Sequence, residues 1–222
     1  RETNLDFSHE KDDRLYIKLN ETLKSGRLDS LSITYQGNPV SSGFGSFEVS
    51  THGSSRTPVL WTLSEPSGAK GWWPSKQDLI DKVDSVDIFI THPAAYKAAS
   101  NGTLMAEKDS GDTRTTHWRH RYPIPAYLIA IAVTNYRVNI QSVSQAPFEI
   151  VNYVYPETYE QTVRSLAVTP SVMNFFREKF GEYPYSKEKY GHAQFGWGGG
   201  MEHSTMSFMG SWSRGLIAHE LA

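Results

Sequence analysis

Two side chains near the C-terminal end stand next to each other in an apolar run, His219 and Glu220 in Leu216-Ile-Ala-His-Glu-Leu-Ala222. In the pattern His-Glu-x-x-His on a helix, the two histidines fall one turn apart and grip zinc, while the Glu activates the metal-bound water. The sequence stops at Ala222, just before the position of the second histidine, so the pattern is interrupted and not contradicted. Taken alone, the dipeptide also suits an ordinary helix start, or a frayed turn with both groups in water. Leu216, Ile217 and Leu221 argue for a buried helix. Burying an unpaired His and Glu is costly unless something such as a metal satisfies them.

Upstream, Gly198, Gly199 and Gly200 remove side chains from three consecutive positions just before Met201-Glu202-His203. Bare backbone allows close approach. At a strand edge it can pair with an extended peptide, whose charged end would then arrive at Glu202. A flexible glycine loop with a solvated acid is the plainer alternative. A third acid, Glu65, ends the segment Trp61-Thr-Leu-Ser-Glu65 ahead of a Pro-, Gly- and Trp-rich loop, and by itself reads as a solvated loop acid.

Together, Gly199-Gly200-Met201-Glu202-His203 and His219-Glu220-Leu221-Ala222 resemble the zinc aminopeptidase family of aminopeptidase N and leukotriene hydrolase, the gluzincins. Thr62-Leu63-Ser64-Glu65 is similar to that family's Thr-Gln-x-Glu segment, and Pro125-Ala-Tyr-Leu-Ile-Ala130 to its Pro-Ser-Tyr-Leu-Ala strand. The departures are Leu63 for Gln, His203 for Asn and a shorter connection from Glu202 to His219. The resemblance implies a parent protein that removes N-terminal residues from peptides with a free N-terminus. His219 would be a zinc ligand and Glu220 the general base. Glu202 and Glu65 would bind the α-ammonium, and Gly199, Gly200, Met201 and His203 would line the substrate. A histidine at position 203 is expected to gain a proton near neutral pH and crowd the amine site with a second cation. Zinc is expected in the full-length protein and to be absent or incomplete here. The rival expectation is a non-catalytic, β-rich peptide-binding module carrying a degenerate metallopeptidase motif.

The elements that must position these residues are read from pattern. Leu31–Tyr35, Phe44–Val49, Val59–Leu63 and Val86–Ile90 are strand-length apolar and β-branched runs between turn signals. Asn101-Gly102 suggests a hairpin turn. Thr115–Tyr122 reads as extended, with His117 and His120 on opposite faces, which favours surface or stacking roles over metal binding. Ala126–Val133 is apolar on both faces and should be a central strand, with Tyr136–Ile140 as another. After about Gln141 the pattern turns mixed. A strand at Phe148–Tyr155 precedes a helix carrying Tyr159, Val163 and Leu166 at helical spacing. A second helix has Thr169 as N-cap, Pro170 first, Gly181 as stop and Val172, Met173, Phe176 and Phe180 as its core stripe. His192–Phe195 reads as a strand feeding the glycine segment.

The expected organisation is a mostly β N-terminal domain over residues 1–141, saddle-like, antiparallel and lacking its first strands. Residues 142–222 would be the truncated first part of an α+β, thermolysin-like catalytic domain, so the chain reads as an excised fragment. The 222 residues are 38% hydrophobic, enough for a sizeable core, and a net charge of −2 gives no footprint for nucleic acid or anionic membrane. With no cysteine, disulfides and thiolate metal sites are excluded. No apolar run approaches the ~18 residues needed for a transmembrane segment. A soluble chain is expected, with its compartment left open and export or a periplasm included.

Overall fold

The computed structural model describes residues 4–222. The chain divides into two units, Arg1–Gln36 and Gly37–Ala222. In the first, β1 (Phe7–His9) and β2 (Leu15–Ile17) form an antiparallel hairpin that sequence patterning did not anticipate. The expected strand at Leu31–Tyr35 does not form. Leu31, Ile33 and Tyr35 stay exposed, and a β-prone run without a partner strand has nothing to complete its ladder.

The second unit is built largely of antiparallel strands. They are β3 (Ser46–His52), β4 (Thr57–Leu63), β5 (Val86–Pro93), β6 (Lys97–Ser100), β7 (Thr103–Ser110), β8 (Thr113–His120) and β9 (Ile131–Thr134). They form a four-stranded sheet in the order β3-β4-β9-β6 and a three-stranded sheet in the order β5-β8-β7. As its apolar sequence requires, β9 is an inner strand, with Val133 opposite Leu60 on one side and Ala98 on the other. The strand begins only at Ile131, because Ala126–Leu128 is a turn of 3-10 helix that carries Tyr127 outside the ladder.

Asn101-Gly102 is not a hairpin turn. It joins β6 to β7, which belong to different sheets, so the same local chemistry serves a crossing between sheets. Gly102 has φ +79°, and a Cβ there would lie 2.1 Å from the Arg119 carbonyl oxygen.

The remaining elements are β10 (Arg137–Ser142), β11 (Glu149–Val154), α1 (Tyr159–Leu166), α2 (Thr169–Phe180), β12 (Tyr190–Gln194), β13 (Gly200–Met201), β14 (Ser207–Met209) and α3 (Arg214–Leu221). The five strands form one sheet in the order β10-β11-β12-β14-β13, with β11–β12 and β12–β14 parallel. Residues 136–140 therefore pair forward with β11 rather than with the preceding sheets.

Two details of α2 correct the expected pattern. The N-cap is Val168 and not Thr169, which is the first helical residue and buries its hydroxyl without a partner among the described residues. Phe180 is 81% exposed at the helix end, so the buried stripe reduces to Val172 and Met173 with Phe176 partly covered. Gly181 does end the helix, at φ +98°.

One apolar core runs through all three sheets of this unit, joining Trp61 and Leu63, Trp118, Tyr153, Phe195, Met201 and Phe208. Each such side chain contributes about 1.5–3 kcal/mol when fully buried. Trp118, completely buried, also donates its Nε1–H to Ala98 O at 3.1 Å. Among the described residues no helix is long and apolar enough to cross a membrane.

Candidate active site

The glycine segment and the His-Glu helix meet at the edge of the five-stranded sheet. After β12, Phe195–Gly199 loops out and returns as β13, which among the described residues pairs only with β14 and leaves its other side as a sheet edge. Gly210 N donates to Gly199 O at 2.8 Å, extending that pairing. Met201, at the end of β13, is buried, Glu202 after it is exposed, and His203 and the residues that follow it are buried again.

The helix α3 starts at Ser213, whose hydroxyl caps it by accepting from Leu216 N at 3.2 Å. Ile217 is fully buried, and on the same helix Glu220 is 7% exposed while His219 faces outward. The reason for glycine at 200 is now visible. A Cβ there would stand 2.4 Å from Glu220 Oε1, so the bare backbone of β13 leaves the room that the carboxylate occupies. Gly199 is equally constrained, since its Cβ would meet the Trp197 ring at 2.4 Å.

Glu65 reaches the same neighbourhood from the four-stranded sheet. Thr62 Oγ1 accepts from Ile131 N at 3.0 Å, and Ser64 Oγ accepts from Trp72 Nε1 at 2.9 Å, which fix the end of β4 just before the half-buried Glu65. Burial, then Glu202, raises the Glu220 carboxyl to about 7, with Glu65 adding to the rise and His219 opposing it. Tyr127 is raised by burial, then by Glu202 and Glu65. Both acids act on the same two groups, so Glu65, Glu202, Glu220, His219 and Tyr127 share one electrostatic field.

Tyr127 was missed as a site residue. The only signal was its place in an apolar run, which reads as core, and its 3-10 turn could not be foreseen from period-2 patterning.

His203 corrects the expectation of a second cation. Its ring is 1% exposed, lies 4.5 Å from the Phe208 ring in an edge-on packing, and has no hydrogen-bond partner for either nitrogen among the described residues. Burial pushes it down to about 3, so it is neutral near pH 7 and brings no second cation to Glu202. His192, also fully buried, is likewise pushed down to about 3. Its Nδ1 sits 2.7 Å from Asn152 Oδ1 and its Nε2 3.4 Å from Tyr190 OH. Tyr190 OH in turn reaches Ser207 Oγ at 2.9 Å, and Ser207 donates to the Glu220 carbonyl at 2.9 Å, so a polar chain supports the helix from below.

These two imidazoles set a pH response. Unfolded histidine titrates near 6.5, so between about pH 3 and 6.5 the unfolded chain takes protons that the folded chain refuses, and stability falls as pH drops. The slope is about 1.4 kcal/mol per pH unit for each ring. Acidification from pH 6.5 to 5 is thus expected to cost about 2 kcal/mol per histidine. Thermal unfolding at pH 7 and pH 5 checks this, with the loss in Tm smaller in His203→Asn; equal losses in parent and variant would show that His203 takes a proton inside the fold.

The other two histidines weighed as ligands are engaged elsewhere. His117 Nε2 meets Asp87 at 2.6 Å and its ring stacks on Phe89 at 4.1 Å. His120, in the interior, meets Glu188 at 2.6 Å. Among the described residues no three His, Cys, Asp or Glu side chains gather where they could hold a metal ion. The single imidazole of His219 does not make a zinc site, which takes three or four protein ligands.

Residues 1–128 match the family model of the Peptidase M1 N-terminal domain. Human glutamyl aminopeptidase is 31% identical over 124 residues, which is 55% of this chain and 13% of that protein. The glutamyl aminopeptidase of Sus scrofa is 29% identical over 143 residues, 63% of this chain and 15% of that protein. The chain therefore spans a small part of the length of the curated relatives it matches.

Proposed function

This chain belongs to the peptidase M1 family, and from that premise we propose that it is part of a longer aminopeptidase that hydrolyses the N-terminal bond of peptides. Glu65 and Glu202 hold the free α-ammonium, and Glu220 takes the proton of the attacking water. The free edge at Gly199–Met201 pairs with the substrate backbone. In the full-length protein zinc is the metal, and His219 is offered as one of its ligands. Residues 142–222 are read as the start of a thermolysin-like catalytic domain, and residues 1–141 as the β-rich N-terminal domain.

The observation that supports the reading is a shared electrostatic effect of two acids remote in the sequence. Glu65 and Glu202 act together on Tyr127 and Glu220. Paired carboxylates next to a buried carboxyl suit a site that must be neutralised by a cation, and a peptide's α-ammonium is one, with its first carbonyl a fixed distance away. A non-catalytic module has no need of an acid held at a pKa near neutrality against a bare glycine strand.

Amino-acid arylamides test this in the full-length protein. Free-amine substrates are expected to be cleaved at least about 100-fold faster than their N-acetylated counterparts, the size expected from losing hydrogen bonds to a charged group. Equal rates would favour an endopeptidase or a reading outside the peptidases.

A further inference from the structure

Glu202 and His203 lead directly into a turn whose backbone is strained. Met206 N donates to His203 O at 3.0 Å to close it, and Thr205, at its third position, has φ +66°. That position suits glycine or asparagine; a β-branched residue persists there only when its surroundings hold it. The hydroxyl and the carbonyl of Thr205 are both held. Oγ1 accepts from Gly102 N at 2.7 Å, and the carbonyl accepts from Lys189 Nζ at 3.0 Å.

Lys189 also donates to Ser100 O at 3.1 Å and approaches Thr205 Oγ1 at 3.5 Å, with its head 5.0 Å from the centre of the Trp118 ring. It is 6% exposed, and burial lowers its pKa to about 7 against the opposing pull of Glu188. Either protonation state keeps enough N–H groups for the two carbonyls.

Asn101, between Ser100 and Gly102, donates through Nδ2 to Ser204 O at 2.7 Å and to Leu128 O at 2.9 Å, and its Oδ1 accepts from Ala130 N at 2.8 Å. The tripeptide 100–102 thus touches both the turn after Glu202 and the segment that follows Tyr127. Gly102 lies so close to the Arg119 backbone that a Cβ there would stand 2.1 Å from the Arg119 carbonyl oxygen.

We propose that Thr205, Lys189 and Asn101 are positioning residues which together lock the strained turn at Thr205 and so fix Glu202 relative to Tyr127 and Glu65 for gripping a terminal ammonium. The proposal rests on the reading of Glu65 and Glu202 given above. All three act at one remove from the substrate: Lys189 and Asn101 through the carbonyls of residues 205 and 204, and Thr205 through its hydroxyl on Gly102 N.

The test uses the full-length protein with Thr205→Val, which keeps the shape and removes the hydroxyl, Lys189→Met, and Thr205→Ser as the conservative control. Steady-state constants are measured on a free-amine arylamide and its N-acetyl form. Thr205→Val and Lys189→Met are expected to raise KM for the free amine about tenfold, as for one weakened charged contact, with kcat within about threefold and the acetylated rate unchanged. Thr205→Ser is expected to behave as the parent. Parental KM in Thr205→Val overturns the proposal even if Lys189→Met does not fold, as does an equal loss on both substrates. If the parent itself does not distinguish free from acetylated amines, the ammonium reading falls and this proposal with it; if the parent does and the variants distinguish them as strongly as the parent, the clamp alone falls.

Discussion

Glu220→Gln in the full-length protein is expected to lower kcat by about 10²–10⁴-fold, the usual contribution of a general base, with KM within a few fold of the parent. Gln keeps the shape of a side chain that is 7% exposed, and the support from Ser207 reaches the main-chain carbonyl of residue 220, which the substitution leaves alone. What is lost is an acceptor whose pKa stands at about 7, where a group can take a proton from water and return it. Gly200→Ala makes the same point without removing any ionisable group. Its new methyl would arrive 2.4 Å from Glu220 Oε1 and 2.6 Å from Glu220 Cγ, so the carboxylate must leave its place. A loss of at least about 10-fold in kcat with an unchanged melting temperature is expected, since a small misplacement of a catalytic group is enough. Turnover near the parental level in Glu220→Gln would remove the general-base role.

The parts of this fold that were legible in the sequence are those in which one local signal has one structural meaning. The runs at Val59–Leu63 and Val86–Ile90 lie between turn residues and became β4 and β5, and the Gly181 stop ended α2 where expected. The bare glycines before Glu202 likewise predicted a close approach, although what approaches Gly200 within the chain is Glu220. Signals with two meanings failed. Asn-Gly at 101–102 supplies a positive φ to any tight turn, and here the turn crosses between sheets because Ser100 pairs with β9 while Thr103 pairs with β8. His203 follows an exposed acid and so looks solvated, yet the turn it opens folds it against Phe208 in the core. Lys189 carried no reading in the sequence, and its enclosure depends on contacts with Trp118 and the Thr205 turn. Each failure depends on contacts between residues far apart in the chain, which composition and period do not carry.

Glu202→Gln is expected to reduce kcat/KM on free-amine arylamides by about 1.5–3 kcal/mol, roughly 10–150-fold, and to leave N-acetylated substrates unaffected. Glu65→Gln should act in the same direction, and the double variant should lose less than the sum, because both acids answer to one ammonium. A pH profile adds a reading that does not depend on affinity. After burial, Glu202 is the largest cause of the raised Glu220 pKa, so removing its charge lets the Glu220 carboxyl ionise at lower pH. The acid limb of kcat/KM in Glu202→Gln should therefore shift to lower pH than in the parent, even as the maximal rate falls. Glu65→Gln should shift it less, since Glu65 contributes less to the same carboxyl. An acid limb unmoved in both variants, with full additivity in the double variant, would mean that the two acids neither share a ligand nor act on Glu220.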